Sequence, residues 1–272
     1  MYPITYLTDC FDGNARARLS TRIGALFGQS PTIIALDGPD PESFAALTLL
    51  DCLRSTESLG EAGHPTITLL NLAPRDGGWP NGVPFCFFHY GKHLVASTFN
   101  PRALALVRRE LGITEVFVTD IAEVLAATDF DPIEAQRITN TQFRSLWYLP
   151  LLAKWVADGR AVPATRTAIP DTPDVGPIVT VVDNFGNCKL DRAPEEIKLP
   201  GVHRYPHLTA VPRNEPGLIP GSSNVAELVI RGGSAASHFG LQPGDAIGIA
   251  DRQHSPIRVA AGPARSGGGR NS

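Results

Sequence analysis

The first 120 residues repeat one pattern. A short apolar or β-branched run stops at a polar or acidic residue, and a segment with apolar residues at helical spacing follows. Ile4 to Leu7 ends at Thr8 and Asp9, and residues 15–28 then carry Leu19, Ile23, Leu26 and Phe27 on one helical face. Thr32 to Leu36 ends at Asp37, a Gly-Pro turn intervenes, and residues 42–54 align Phe44, Leu47, Leu50 and Leu53. Thr66 to Leu72 is the next strand. Residues 101–111 form a helix, Val116 to Val118 a strand, and residues 141–158 one more helix. Such alternation predicts an α/β domain with a mostly parallel central sheet over residues 1–160. Right-handed crossovers in such sheets collect ligands at the carboxyl ends of the strands. Asp9, Asp37 and the loop 73–78 all fall there.

The texture changes after residue 160. Pro163, Pro170, Pro173 and Pro177 stand among small and polar residues, which predicts an extended linker over 161–177. Short strands alone follow at Ile178 to Val182, Ala226 to Ile230 and Ala246 to Ile249, and predict a smaller C-terminal β-barrel over 178–252. The glycine- and serine-rich end predicts a disordered tail over 253–272.

Composition narrows the class of function. With 43% hydrophobic and 19% charged residues the chain can bury a core. A formal charge of −3 argues against a nucleic-acid partner, which needs a basic face. No apolar run approaches the roughly 18 residues of a bilayer span, and MYPITYLTD lacks the basic and apolar regions of a signal peptide. The cytoplasm is the expected compartment, with no membrane partner. Cys10, Cys52, Cys86 and Cys188 show no C-x-x-C spacing, so free or buried thiols are expected and no metal site.

A carboxylate at a strand end, such as Asp9, either accepts hydrogen bonds from a ribose diol or caps the next helix. No glycine-rich phosphate loop follows the first strand, so a nucleotide bound here would lack a phosphate cradle, as an adenosyl group does. In VTVVDNFGN, Asp183 and Asn187 flank Phe185-Gly186 just past a strand. They offer the acceptors and donors to hold an amino acid's ammonium and carboxylate, or they close an ordinary Asx-type turn. Ser222 and Ser223 precede the next strand, and Gly232, Gly233 and Ser234 follow it, either around a planar base or as plain turns.

Together these motifs resemble a known family. Val182-Asp183 and Phe185-Gly186-Asn187, then Ser222-Ser223, a strand, Gly232-Gly233-Ser234-Ala235-Ala236, Gly240-Leu241 and Pro243-Gly244-Asp245 are similar, in order and spacing, to the C-terminal part of the S-adenosylmethionine hydroxide adenosyltransferase and fluorinase/chlorinase family. Thr8-Asp9, Asp37, Asn100 and the helix from Phe143 through Gly159 extend the similarity over roughly residues 1–252. The resemblance implies that Asp9 binds the ribose, with Asn100 on the family's Asn-rich turn. It implies that Asp183 and Asn187 hold the methionine portion with help from Ser222, and that Phe185 and Ser223 belong to the ligand-binding set. Gly232, Ser234 and Ala235 would face adenine. It further implies a homotrimer with each site between subunits, and no cofactor beyond S-adenosylmethionine as substrate or ligand.

The nucleophile-preparing residues depart from the family. Ala73 stands where the water-using members have an Asp, and Arg144 where they have a His; an arginine is no base at neutral pH. Asp76 stands where the halogenating members have a threonine, and its charge would repel a halide. Ser145 matches their serine near the reacting carbon. Arg75, Asp76, Arg144 and Ser145 are therefore the catalytic candidates, although Asp76 and Arg75 would equally pair on an exposed loop. The expected activity is displacement at C5′ of S-adenosylmethionine by water or another non-halide nucleophile, releasing methionine. The alternative is a non-catalytic binder of adenosyl ligands.

Overall fold

The structure, a computed structural model, describes residues 2–74 and 82–247. Two sheets organise it. The larger takes β1 (Ile4–Thr8), β2 (Thr32–Ala35), β3 (Ile67–Asn71), β4 (Phe85–Tyr90), β5 (His93–Thr98), β6 (Glu115–Thr119) and β7 (Thr165–Ala168) in the order β2-β1-β3-β5-β4-β6-β7. The four strands β2, β1, β3 and β5 are parallel, while β4, β6 and β7 join through antiparallel pairings. The sheet is therefore mixed, and the expectation of a mostly parallel sheet holds for its first four strands. The reason is a hairpin that the sequence reading passed over. Tyr90 pairs with His93 across Gly91-Lys92, with Gly91 at φ 56°, so a two-residue turn inserts β4 between β5 and β6.

Helices α1 (Gly13–Phe27) and α2 (Pro41–Arg54) fall where the apolar spacing put them. Asp12 caps the first by accepting from Asn14 and Ala15 N–H, and Asp40 caps the second by accepting from Ser43 N–H. α1 lays Leu19 and Ile23 on one face of the sheet, against Tyr6 and Leu69. α2 lays Leu49 and Leu53 on the other, against Leu7 and Leu70, beside α3 (Ala105–Leu111). Further along come α4 (Ile121–Ala127), α5 (Pro132–Asn140), α6 (Arg144–Trp147) and α7 (Leu149–Ala157). The single helix expected over 141–158 is thus broken at Tyr148. Pro150 in the first turn of α7 has no N–H to give to Leu146, so the ladder is interrupted there.

The linker expected over 161–177 is also corrected. Its first part is β7, an edge strand of alternating threonines and small or charged residues that carries too little apolar signal to be read. Only after Ile169, which is buried, does a proline-rich connection begin.

The second sheet takes β8 (Val179–Val182), β9 (Cys188–Leu190), β10 (His203–Arg204), β11 (Pro216–Pro220) and β12 (Ala226–Ile230) in the order β10-β11-β12-β9-β8, with α8 (Ala235–Phe239) against its core face. Among the described residues β10 and β8 do not pair, so no closed barrel is formed there. Of the strand expected at Ala246 to Ile249, Ala246 makes a single bridge to Ile178, and residues beyond 247 lie outside the described ones, as does the tail at 253–272. The sheets are joined through α2. Its outer residues Ala46, Leu47 and Leu50 pack with Leu106, Val225 and Val181. No helix among the described residues is long and apolar enough to cross a membrane.

Candidate functional site

The order β2-β1-β3 fixes where a crevice opens. α1, which follows β1, lies on one face of the sheet, and α2, which precedes β3, lies on the other, so the strand order changes direction between β1 and β3. Open α/β sheets bind ligands at such a switch point. Asp9 stands there, half-buried. Both its carboxylate oxygens accept from Ala73 N–H, at 3.0 and 3.1 Å, and its own N–H reaches Asn71 C=O at 3.4 Å. The buried Thr8 hydroxyl accepts from Cys10 N–H at 3.0 Å and from the Asn71 amide at 3.3 Å. The Cys10 thiol lies 3.6 Å from Asp9 Oδ1. On the far side, Thr98 Oγ1 accepts from Leu72 N–H at 3.2 Å and steadies the segment that presents Ala73.

A buried tyrosine ties α6 to this edge. Tyr6 is fully buried on β1, and its hydroxyl donates to Ser145 C=O at 3.1 Å. Burial pushes the Tyr6 hydroxyl far above its ordinary range. The Ser145 side chain opposes this, and the nearby Cys10 and Asp9 add to it, so Tyr6 remains a donor. Ser145 and Asp9 thus share one neighbourhood. Arg144, half-buried and drawn below its ordinary value by that burial, lays its guanidinium against Gly82; a Cβ at Gly82 would collide with it. Arg75 and Asp76 lie outside the described residues. Asp37 is exposed past the end of β2 on the same edge. Asn100, past β5, is occupied by its own turn, where it accepts from Ala103 N–H, and by Glu42 on α2, to which its amide donates at 2.8 Å.

The C-terminal candidates divide into two groups. Asp183 closes the β8–β9 hairpin: Oδ1 accepts from Phe185 N–H at 2.8 Å and Asn187 N–H at 2.9 Å, and Oδ2 from the Asn187 amide at 3.0 Å. Burial works to raise its pKa, but these donors, the Asn187 N–H foremost, prevail and hold it below the ordinary carboxylate value. Gly186, at φ 82°, presses against Ser234, the N-cap of α8, and its carbonyl accepts from Ala236 N–H at 2.9 Å. Asp183, Asn187, Gly232, Ser234 and Ala235 therefore gather at one end of β12, with Phe185 exposed at the hairpin tip. Ser222 and Ser223 lie at the other end, about 17 Å away along five residues of strand. Ser223 is buried and donates to Asp51 on α2, so within the chain it joins the two sheets and does not reach the Asp183 group.

The sequence reading named Thr8 only as a strand-end motif and missed Tyr6, Cys10, Asn71 and Thr98 as parts of this edge. A usable signal was present in Asn71 and Thr98, polar residues that end otherwise apolar strands. No two cysteines join in a disulfide among the described residues, and burial pushes the Cys86 and Cys188 thiols up to about 12. Among the described residues no group of three His, Cys, Asp or Glu is placed to hold a metal ion.

No family model and no curated protein matches the chain. Solved structures do. An uncharacterized conserved protein from Thermotoga maritima superposes with a TM-score of 0.63 at 16% identity, over 89% of this chain and 98% of its own. A conserved hypothetical protein from Thermus thermophilus gives 0.54 at 17% identity, over 90% of this chain and 97% of its own. The chain shares their fold.

Proposed function

We propose that the protein binds S-adenosylmethionine at the switch point and displaces methionine from C5′ with water or another non-halide nucleophile. The observation that carries this reading is the Asp9 carboxylate, fixed between the ends of β1 and β3 by Ala73 N–H. It is an acceptor for a ribose diol in a crevice with no glycine-rich phosphate loop after β1. In the reaction a water oxygen bonds to C5′ as the C5′–S bond breaks, the electron pair stays on sulfur, and the water proton passes to a base. The sulfonium leaves without acid assistance, so the protein has to align and desolvate the nucleophile. In this reading Arg144 and Ser145 would border that space. The preference against halide rests on Asp76 in the sequence. In the same reading the Asp183–Asn187 hairpin of a neighbouring subunit closes over Asp9 in a homotrimer, the five-stranded sheet is the described part of a barrel, and the compartment is the cytoplasm.

Incubation with S-adenosylmethionine, followed by chromatography, should give adenosine and methionine in equal amounts above a protein-free control. Added chloride or fluoride should give no halo-adenosine. Asp9→Ala should weaken adenosine binding by about 1.5–3 kcal/mol, roughly 10- to 150-fold in Kd. Ligand bound but returned intact would replace the enzyme reading with that of a non-catalytic binder, which Arg144 at the place of a base favours. Absence of binding would end both.

A further inference from the structure

A second concavity lies away from the switch point. Between α2 and α3 on one side and β8 and β9 on the other is a cavity of about 460 Å³, roofed by the connection from Pro170 to Gly176. That volume falls in the range of small-molecule sites. Arginines from both sheets line it: Arg108 and Arg109 from α3, and Arg192 just past β9. The connection holds two of them with carboxylates. Asp171 pairs with Arg108 at 2.5 Å and Asp174 with Arg192 at 2.7 Å. Both aspartates are mostly in solvent, at 80% and 74% exposure, whereas Arg108 and Arg192 are at 32% and 20%. The arginines belong to the walls and the carboxylates to the connection that roofs them.

The walls are not fully satisfied without a further partner. Arg192 Nε is buried with no hydrogen-bond partner among the described residues; the nearest carboxylate oxygen, Asp191 Oδ2, is 3.6 Å away. Glu196 approaches the other end of the guanidinium only to 3.9 Å. Asp191 is engaged inward: Oδ1 accepts from Ile178 N–H at 2.8 Å, and its carbonyl accepts from Arg109. Arg108 has Asp171 as its ion-pair partner. Solvent screens exposed pairs of this kind, so they contribute little and are readily exchanged. A guanidinium favours planar, two-oxygen anions.

We infer that this cavity is a binding site for a metabolite-sized dicarboxylate, whose two carboxylates replace Asp171 and Asp174 on Arg108 and Arg192. The roof is an internal competitor. Three residues of extended chain span at most about 11 Å, an upper bound on the backbone separation of Asp171 and Asp174. The site is independent of the adenosyl reading.

Calorimetry on the full chain tests it with succinate, glutarate, acetate and inorganic phosphate as probes. Succinate or glutarate should bind saturably and acetate far more weakly. Asp171→Asn with Asp174→Asn should tighten the dicarboxylate by about fivefold, because the internal competitor is gone. Arg108→Gln should weaken it by about tenfold or more, as should Arg192→Gln if that variant folds. Asp9→Ala should leave it unchanged, which keeps this test separate from that of the switch point. No saturable binding by either the unmodified chain or the double variant overturns the assignment. So does binding indifferent to Arg108→Gln, acetate matching the dicarboxylates, or phosphate binding more tightly than they do.

Discussion

Asp9 and Asp183 look alike in sequence, each an aspartate that closes an apolar strand, yet the fold uses them differently. Asp183 gives its oxygens to donors no more than four residues away, so it builds a turn that any local hairpin would recognise. Asp9 meets Ala73, 64 residues along the chain, and that contact exists only because β1 and β3 are neighbours. A locally engaged carboxylate supports its own segment. One engaged across a sheet marks a place that the topology has created. The difference separates a carboxylate held across the sheet from one that pins a hairpin presenting Phe185.

Substitutions at these positions sharpen or break the contrast. The largest effect is expected from Gly186→Ala. A side chain at φ 82° is strained and would drive into Ser234, so the hairpin end of the second sheet should lose about 2–3 kcal/mol in denaturant unfolding. A loss below about 1 kcal/mol would mean that the hairpin moves freely on α8. Next come Asp183→Asn and Asp9→Asn, compared side by side. Asp183→Asn should cost about 1.5 kcal/mol at neutral pH, because charge-assisted bonds become neutral ones. Its folded pKa is lowered, so its contribution is complete above the ordinary carboxylate range and disappears as pH falls through the folded value. The variant should therefore lose less stability than the unmodified chain as pH falls through and below the ordinary carboxylate range. Asp9→Asn keeps an acceptor for Ala73 N–H and should change stability by under about 1 kcal/mol while weakening adenosine binding. Equal stability losses from the two would dissolve the distinction.

The turn around Asp183 was legible because its partners lie inside one short window: Asp, Gly and Asn at those offsets are turn chemistry. The helical spacing of Leu19 and Ile23, and of Leu47, Leu50 and Leu53, was legible for the same local reason, and all of these side chains are buried. What the sequence withheld depends on neighbours remote in the chain. β7 reads as linker because an edge strand with an exposed face needs few apolar residues. Ser223 resembles a ligand-binding serine until Asp51, 172 residues earlier, is placed beside it. Tyr6 reads as core, and its hydroxyl acquires meaning only through the Ser145 carbonyl.

The smallest effect is expected at that last kind of contact. Ser223→Ala leaves Asp51 without its donor from the turn that leads into β12 and should cost about 0.5–1 kcal/mol. Separate melting of the two sheets in that variant, followed by hydrogen exchange, would show that a single hydroxyl and not the apolar seam joins them.

That seam has a consequence for how the chain is made. α2 buries residues on both of its sides, Leu49 and Leu53 in its own sheet and Leu47 and Leu50 toward Val181 and Val225. At about 5–20 residues per second, Val225 follows Leu50 out of the ribosome by roughly ten to thirty-five seconds. For that interval the finished first half presents a sticky stripe to everything around it. Half of the helix's burial thus waits on synthesis, and a chain cut in the 170–176 connection would carry that stripe uncovered.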